Sequence, residues 1–215
     1  MPDLAPQLPV RNVILVGGSQ GSIPAIRTLL RGLPRDLRAA IGITIHRGQT
    51  PRSALAGLLG ADCGLPIEDA THGELFRAGR VYLAPADHHL VLHAGAVWLD
   101  HGPKQHYVRP AVDPMFASGA REYGSRVIGV LVTGQLSDGV AGLVAIKQHG
   151  GLSIVQDPAE AEAPSMPRNA IAFDHVDAVF VIANGSCLLR DLVRGVGLSD
   201  AMQKDGAERP HKPPS

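Results

Sequence analysis

Val13-Ile14-Leu15-Val16-Gly17-Gly18-Ser19-Gln20-Gly21-Ser22 runs four apolar, mostly β-branched residues into a Gly-Gly pair, a serine and a further glycine. Apolar residues at helical spacing follow at Ile26, Leu29 and Leu30. This order spells a strand, a tight turn and a helix. A serine at such a turn is lifted off the strand end, and its flanking glycines let the backbone bend and leave room for a substrate. Ser19 is therefore the first candidate nucleophile. The stretch Gly17-Gly18-Ser19-Gln20-Gly21 fits G-x-S-x-G. The dinucleotide fingerprint fails at Ser19 and Ser22, and the mononucleotide loop fails for want of a Gly-Lys-Ser/Thr sequence. A plain Gly-rich turn with a solvated serine is the structural alternative.

Outward from this turn, Ile41 to Ile45 predicts a second strand that ends on His46, and Thr50-Pro51 predicts a helix start. Between about 64 and 112 the segments 80–83, 90–93 and 96–99 predict short strands and a hairpin inserted at one side of the sheet. Val127 to Val132, the most apolar run, predicts a central strand buried on both faces. It empties into Thr133-Gly134-Gln135-Leu136-Ser137-Asp138-Gly139, after which Leu143, Val144 and Ile146 mark a helix. Residues 152–155 and 178–182 predict the last strands, and 186–194 a final helix. The alternation implies an α/β fold: one doubly wound, mostly parallel sheet with helices on both faces and a small β-hairpin insertion. The expected organisation is a flexible leader over 1–11, one catalytic domain over 12–196 and a disordered tail over 197–215.

Composition sets further bounds. The 215 residues are 45% hydrophobic but only 4% aromatic, so aliphatic side chains must fill one domain's core. Twenty basic residues balance twenty acidic ones, which argues against a nucleic-acid binder. Cys63 and Cys187 fit no metal or redox spacing and read as structural thiols. No run approaches a membrane span and no signal peptide precedes strand one, so a cytoplasmic protein without membrane insertion is expected.

A serine nucleophile needs a base, and the base needs an acid to orient it. In an open α/β sheet, ligands bind outside the carboxyl ends of the strands. His46 lies at that edge directly after a core strand, and Asp138 lies in the loop past another. The alternatives are a capping or solvated histidine and an aspartate that caps the helix after Gly139. Asp113 before Pro114 reads as an N-cap, and Ser22 likewise. His88 and His89 read as turn or rim residues, and the remaining histidines, His106 among them, as surface or packing residues. No histidine shows a metal-ligand spacing, so neither metal nor other cofactor is expected. The order Ser19, His46, Asp138 departs from the Ser, Asp/Glu, His order of α/β-hydrolases.

Seven motifs occur in a familiar sequence: Gly17-Gly18-Ser19-Gln20-Gly21, Ile45-His46, Ala84-Pro85-x-x-x-His89, Arg109-Pro110-Ala111-Val112-Asp113, Thr133-Gly134-x-x-x-Asp138-Gly139, Gly150-Gly151 with Gln156-Asp157, and Met166-Pro167. Over about residues 12–192 the chain resembles the methylesterase domain of CheB, the chemotaxis protein-glutamate methylesterase. The resemblance implies hydrolysis of glutamate γ-methyl esters on the cytoplasmic helices of methylated chemoreceptors, and glutamine deamidation in some members. It implies Ser19 as nucleophile, His46 as general base and then acid, and Asp138 as its orienter. Backbone amides near Gln20 and Gly21 and near Gln135 are the expected oxyanion donors. The family's Ser-Thr-Gly-Gly is here Ser19-Gln20-Gly21-Ser22, its Gln-His-Met-Pro is Ile45-His46-Arg47-Gly48, and its Thr-Gly-Met-Gly is Thr133-Gly134-Gln135-Leu136. Arg47 thereby becomes a candidate for holding acidic receptor surface or lowering the pKa of His46. Family members commonly carry a receiver domain, whereas about a dozen residues precede strand one here. Constitutive activity or control by a separate receiver protein is the corresponding expectation. A serine esterase or amidase for another substrate, and a degenerate receptor-binding module, are the alternative functions.

Overall fold

A computed structural model describes residues 10–46, 52–174 and 176–205. The elements follow one another as β1 (Val13–Gly18), α1 (Ser22–Arg31), β2 (Ala40–Ile45), α2 (Arg52–Gly60), β3 (Ile67–Asp69), β4 (Arg80–Leu83), β5 (His89–His93), β6 (Ala96–Asp100) and α3 (Val112–Tyr123). Beyond them come β7 (Val127–Leu131), α4 (Val140–Gln148), β8 (Leu152–Gln156), α5 (Ser165–Asp174), β9 (Ala178–Phe180), α6 (Ile182–Val193) and α7 (Leu198–Asp205). Seven strands form one sheet in the order β3-β4-β2-β1-β7-β8-β9, and every pairing in it is parallel.

Strand alternation sorts the apolar side chains into two layers. Ile14, Val16, Ile41, Ile43, Ile128 and Val130 face a core built with α1, α2, α6 and α7. Val13, Leu15, Ala40, Val127 and Leu131 face the opposite core, built with α3, α4, α5 and the hairpin. Both faces of the central strands are therefore covered, as a parallel sheet requires. Strand order reverses on either side of β1, so the crevice at its carboxyl end is the topological switch point.

Three expectations need correction. Residues 80–83 do not belong to an inserted unit: β4 pairs with β2 and β3, extending the main sheet, and only β5 and β6 form the separate antiparallel hairpin. The chain does not turn irregular at 197, because α7 seats Ala201, fully buried, against the first core. Ser165–Asp174 forms a helix that periodicity did not mark. The start of α2 at Thr50-Pro51 lies outside the described residues.

The first turn of α3 presses onto the end of β1. A Cβ at Gly17 would stand 2.3 Å from Val112 Cγ1 and 3.2 Å from the Phe116 ring. Gly17→Ala is expected to destabilise the protein by about 1–3 kcal/mol, the usual range for overpacking. Urea unfolding would register this as a lower midpoint at unchanged slope.

Candidate active site

Ser19 and His46 leave neighbouring parallel strands at the same level, since Gly18 and Ile45 are register partners. The His46 amide donates to Gly18 O at 3.1 Å, and the Ser19 amide donates to Thr133 O at 3.0 Å. The turn after Ser19 needs Gly21, which takes φ +73° and whose Cβ would meet Glu162 at 2.7 Å. Gly21 is the N-cap of α1, so Ser22 is not the cap that its type suggests. The Ser22 hydroxyl, fully buried, donates back to Ser19 O at 2.6 Å and ties the turn together.

The loop after β7 forms the other wall. Thr133 accepts the Ala163 amide at Oγ1 (2.7 Å), and its own amide donates to Gln156 Oε1 (2.9 Å). Gly134 brings this loop against the serine, because a Cβ there would stand 2.9 Å from Ser19 Cβ and 2.6 Å from Met166 Sδ. The Gly134 amide donates to Ala163 O, and the Leu136 amide to Ser165 Oγ. Among the described residues no hydrogen bond uses the amides of Gln20 or Gln135, two of the three expected oxyanion donors. Their side chains meet across the cleft, Gln135 Nε2 donating to Gln20 Oε1 at 3.4 Å.

Asp138 is fully buried, and its carboxylate lies 2.5 Å from His46 Nε2. It does not cap its own helix, for Gly139 is the N-cap of α4. It instead accepts the amides of Val112 (2.6 Å) and Asp113 (3.0 Å) at the start of α3, where the helix dipole favours an anion. Burial pushes this carboxyl up, but the hydrogen bond from His46 and those two amides outweigh it and hold the group below the usual carboxylate range. An ionised Asp138 fixes the proton of His46 on Nε2 and leaves Nδ1 as the basic nitrogen. Side-chain exposure of His46 is 14%, so its ring is not sealed from solvent.

Sequence reasoning missed several residues here. Ala111, not Asp113, is the N-cap of α3, and Asp113 accepts the Gly142 amide of α4 at 2.7 Å and faces His106 at 2.8 Å. His106 is thus part of the polar network and not an ordinary surface residue. Gln156 and Ser165 shape the loop, and the polar residue that closes the apolar run 152–155 was the one available signal. His89 is buried, accepting the Ala111 amide and facing Pro103 O, so it braces the approach to α3. Arg47 lies outside the described residues. His106, Asp113 and Asp138 are the one described group with donor atoms clustered as for a cation, all within 4.8 Å. Each carboxylate oxygen in it already faces an N–H or an imidazole nitrogen, so the cluster is satisfied as a hydrogen-bond network. Among the described residues no helix is long and apolar enough to cross a membrane.

Residues 14–184 match the family model described as CheB methylesterase. The chain is 40% identical over 193 residues to the protein-glutamate methylesterase/protein-glutamine glutaminase 2 of Anaeromyxobacter dehalogenans, covering 89% of this chain and 57% of that protein. It is 34% identical over 178 residues to the protein-glutamate methylesterase/protein-glutamine glutaminase of Pyrococcus horikoshii, covering 81% of this chain and 48% of that one. It thus spans about half the length of these two relatives. The crystal structure of the Thermotoga maritima CheB methylesterase catalytic domain superposes with a TM-score of 0.81 at 30% identity, covering 85% of this chain and 99% of that chain. With the family model spanning residues 14–184 and the catalytic-domain fold matched at a TM-score of 0.81, the chain belongs to the CheB methylesterase family.

Proposed function

We propose that this chain is a serine hydrolase that removes methyl groups from glutamate γ-methyl esters on the cytoplasmic helices of chemoreceptors, with glutamine deamidation as a second reaction of the same site. The observation that carries the reading is the 2.5 Å contact between His46 and a fully buried Asp138, with Ser19 and His46 following the register partners Gly18 and Ile45 off neighbouring strands. In this mechanism His46 Nδ1 takes the proton of Ser19 as Oγ attacks the ester carbonyl. The amides of Gln20 and Gln135 receive the negative charge that builds on the carbonyl oxygen. His46 then hands the proton to the departing methoxide, releasing methanol, and a water activated by the same nitrogen hydrolyses the acyl-enzyme. Asp138 stays ionised throughout and stabilises the imidazolium that forms. A separate receiver protein is the proposed source of any phosphorylation control.

Ser19→Ala is expected to lower methanol release from methylated receptor by about 10³-fold or more, with folding unchanged. Unchanged release sinks the proposal. Cleavage of a generic activated ester through Ser19, with methylated receptor left intact, assigns the triad to a different ester. That outcome is motivated by Leu136, which stands 65% exposed at the rim of the oxyanion loop.

Asp138 supplies a second check. Its folded-state pKa lies below the unfolded value, so its stabilisation is fully present above about pH 4 and is lost as the pH falls through the folded value. The stability gap between wild type and Asp138→Asn is therefore expected to narrow steadily below about pH 4 in denaturant titrations. A gap independent of pH contradicts the assignment of Asp138 as the anion of the site.

A further inference from the structure

A second buried carboxylate lies beside Asp138. Asp113 is 8% exposed, and its two oxygens are divided between the Gly142 amide and His106. His106 Nε2 lies 2.8 Å from Asp113 Oδ2 and 3.8 Å from Asp138 Oδ1. A second histidine–aspartate pair thus abuts the first, and the Asp113 amide is itself a ligand of Asp138.

The backbone that delivers His106 is unusual. His106 at φ +50° and Tyr107 at φ +65° are the central residues of a two-residue turn closed by reciprocal bonds between Gln105 and Val108, 3.2 and 2.9 Å long. Such turns favour Asn-Gly, and a histidine followed by tyrosine costs backbone strain. Tyr107 is 93% exposed, whereas the imidazole of His106 turns inward onto the carboxylates. The contact of the side chain, and not the preference of the turn, accounts for a histidine at this position.

We propose that His106 is a positioning residue for the hydrolysis, holding a proton against Asp113 so that Asp138 alone sets the basicity of His46. The proposal rests on the reading of Ser19, His46 and Asp138 given above. Two neighbouring carboxylates cannot both ionise freely out of water. Burial and the charge of Asp138 push the Asp113 carboxyl up, and the Gly142 amide and His106 oppose this. Without His106, Asp113 keeps only the Gly142 amide against burial and Asp138, and the negative charge it retains is no longer neutralised by a side chain and stabilises the imidazolium of His46, making His46 harder to deprotonate. Among the described residues the ionisable groups that reach the cluster are His46 from the end of β2 and Asp138 from the loop before α4; α3 and α4 face it with backbone amides.

The test is the pH dependence of Ser19 labelling by a fluorophosphonate, which reads the basicity of His46 whatever the natural ester is. The intact chain would be compared with His106→Asn, Asp113→Asn and the double variant. Asparagine tolerates positive φ, so the turn is preserved. In His106→Asn the acid limb is expected to rise by about one pH unit, a roughly tenfold slower labelling below the limb, with little change on the alkaline plateau. Adding Asp113→Asn is expected to return the limb to its wild-type position. A limb unmoved in His106→Asn, a limb not restored in the double variant, or an equal loss at every pH overturns the proposal. Labelling that persists in Ser19→Ala instead overturns the hydrolase reading on which it rests.

Discussion

The active-site edge of this molecule depends on one buried anion. Asp138 has no contact with water, and an unpaired carboxylate in that position would be very costly. Its oxygens are met by two amides from the first turn of α3 and one imidazole from the end of β2, elements far apart in sequence. Satisfying the anion therefore fixes the position of α3 against the sheet as well as the tautomer of His46. The glycines obey the same constraint: Gly17 and Gly139 both lie where a Cβ would collide with Val112, the residue whose amide reaches Asp138. The geometry of the candidate site and the local packing are thus one arrangement, and each holds the other in place.

Much of this was legible in the sequence because strands and turns announce themselves locally. The run from Val13 to Gly21 carries the strand, the bend and the serine in nine residues, and His46 follows directly on an apolar strand. The parallel alternation then places both at one edge by a general rule of open sheets. What was not legible depends on contacts between segments. Asp138 next to Gly139 and Asp113 next to Pro114 look like caps of their own helices, yet each carboxylate receives amides of the other's helix. Short polar side chains at a helix start have several backbone donors within reach, and only tertiary packing selects among them.

Residues 80–83 were misplaced for a related reason, while the hairpin of β5 and β6 stands as expected. A four-residue strand such as Arg80–Leu83 carries no period long enough to tell an inserted hairpin from an edge of the main sheet. Helix α5 escaped notice because its polar residues, Ser165 and Asn169, are used by the loop after β7, where they bond the backbone of Leu136 on both sides. Polar contacts to that loop replace part of the apolar stripe by which a helix is normally recognised.

The strained positions sharpen the division between chemistry and recognition. Leu136, His106 and Tyr107 all adopt positive φ without being glycine: Leu136 stands two residues before Asp138, His106 Nε2 lies 2.8 Å from Asp113 Oδ2, and Tyr107 follows His106 in the same turn. Each such residue costs about 1 kcal/mol or more, so it persists only where surrounding contacts over-determine it. Leu136 is pinned by Ser165 and Asn169, and His106 by Asp113. Their inward contacts are backbone or charge interactions, while the apolar side chains of Leu136 and Tyr107 remain outside. Residues at these two positions can therefore vary in what they present to solvent without disturbing the anion beneath, which separates the outer surface of the cleft from the polar network that holds it.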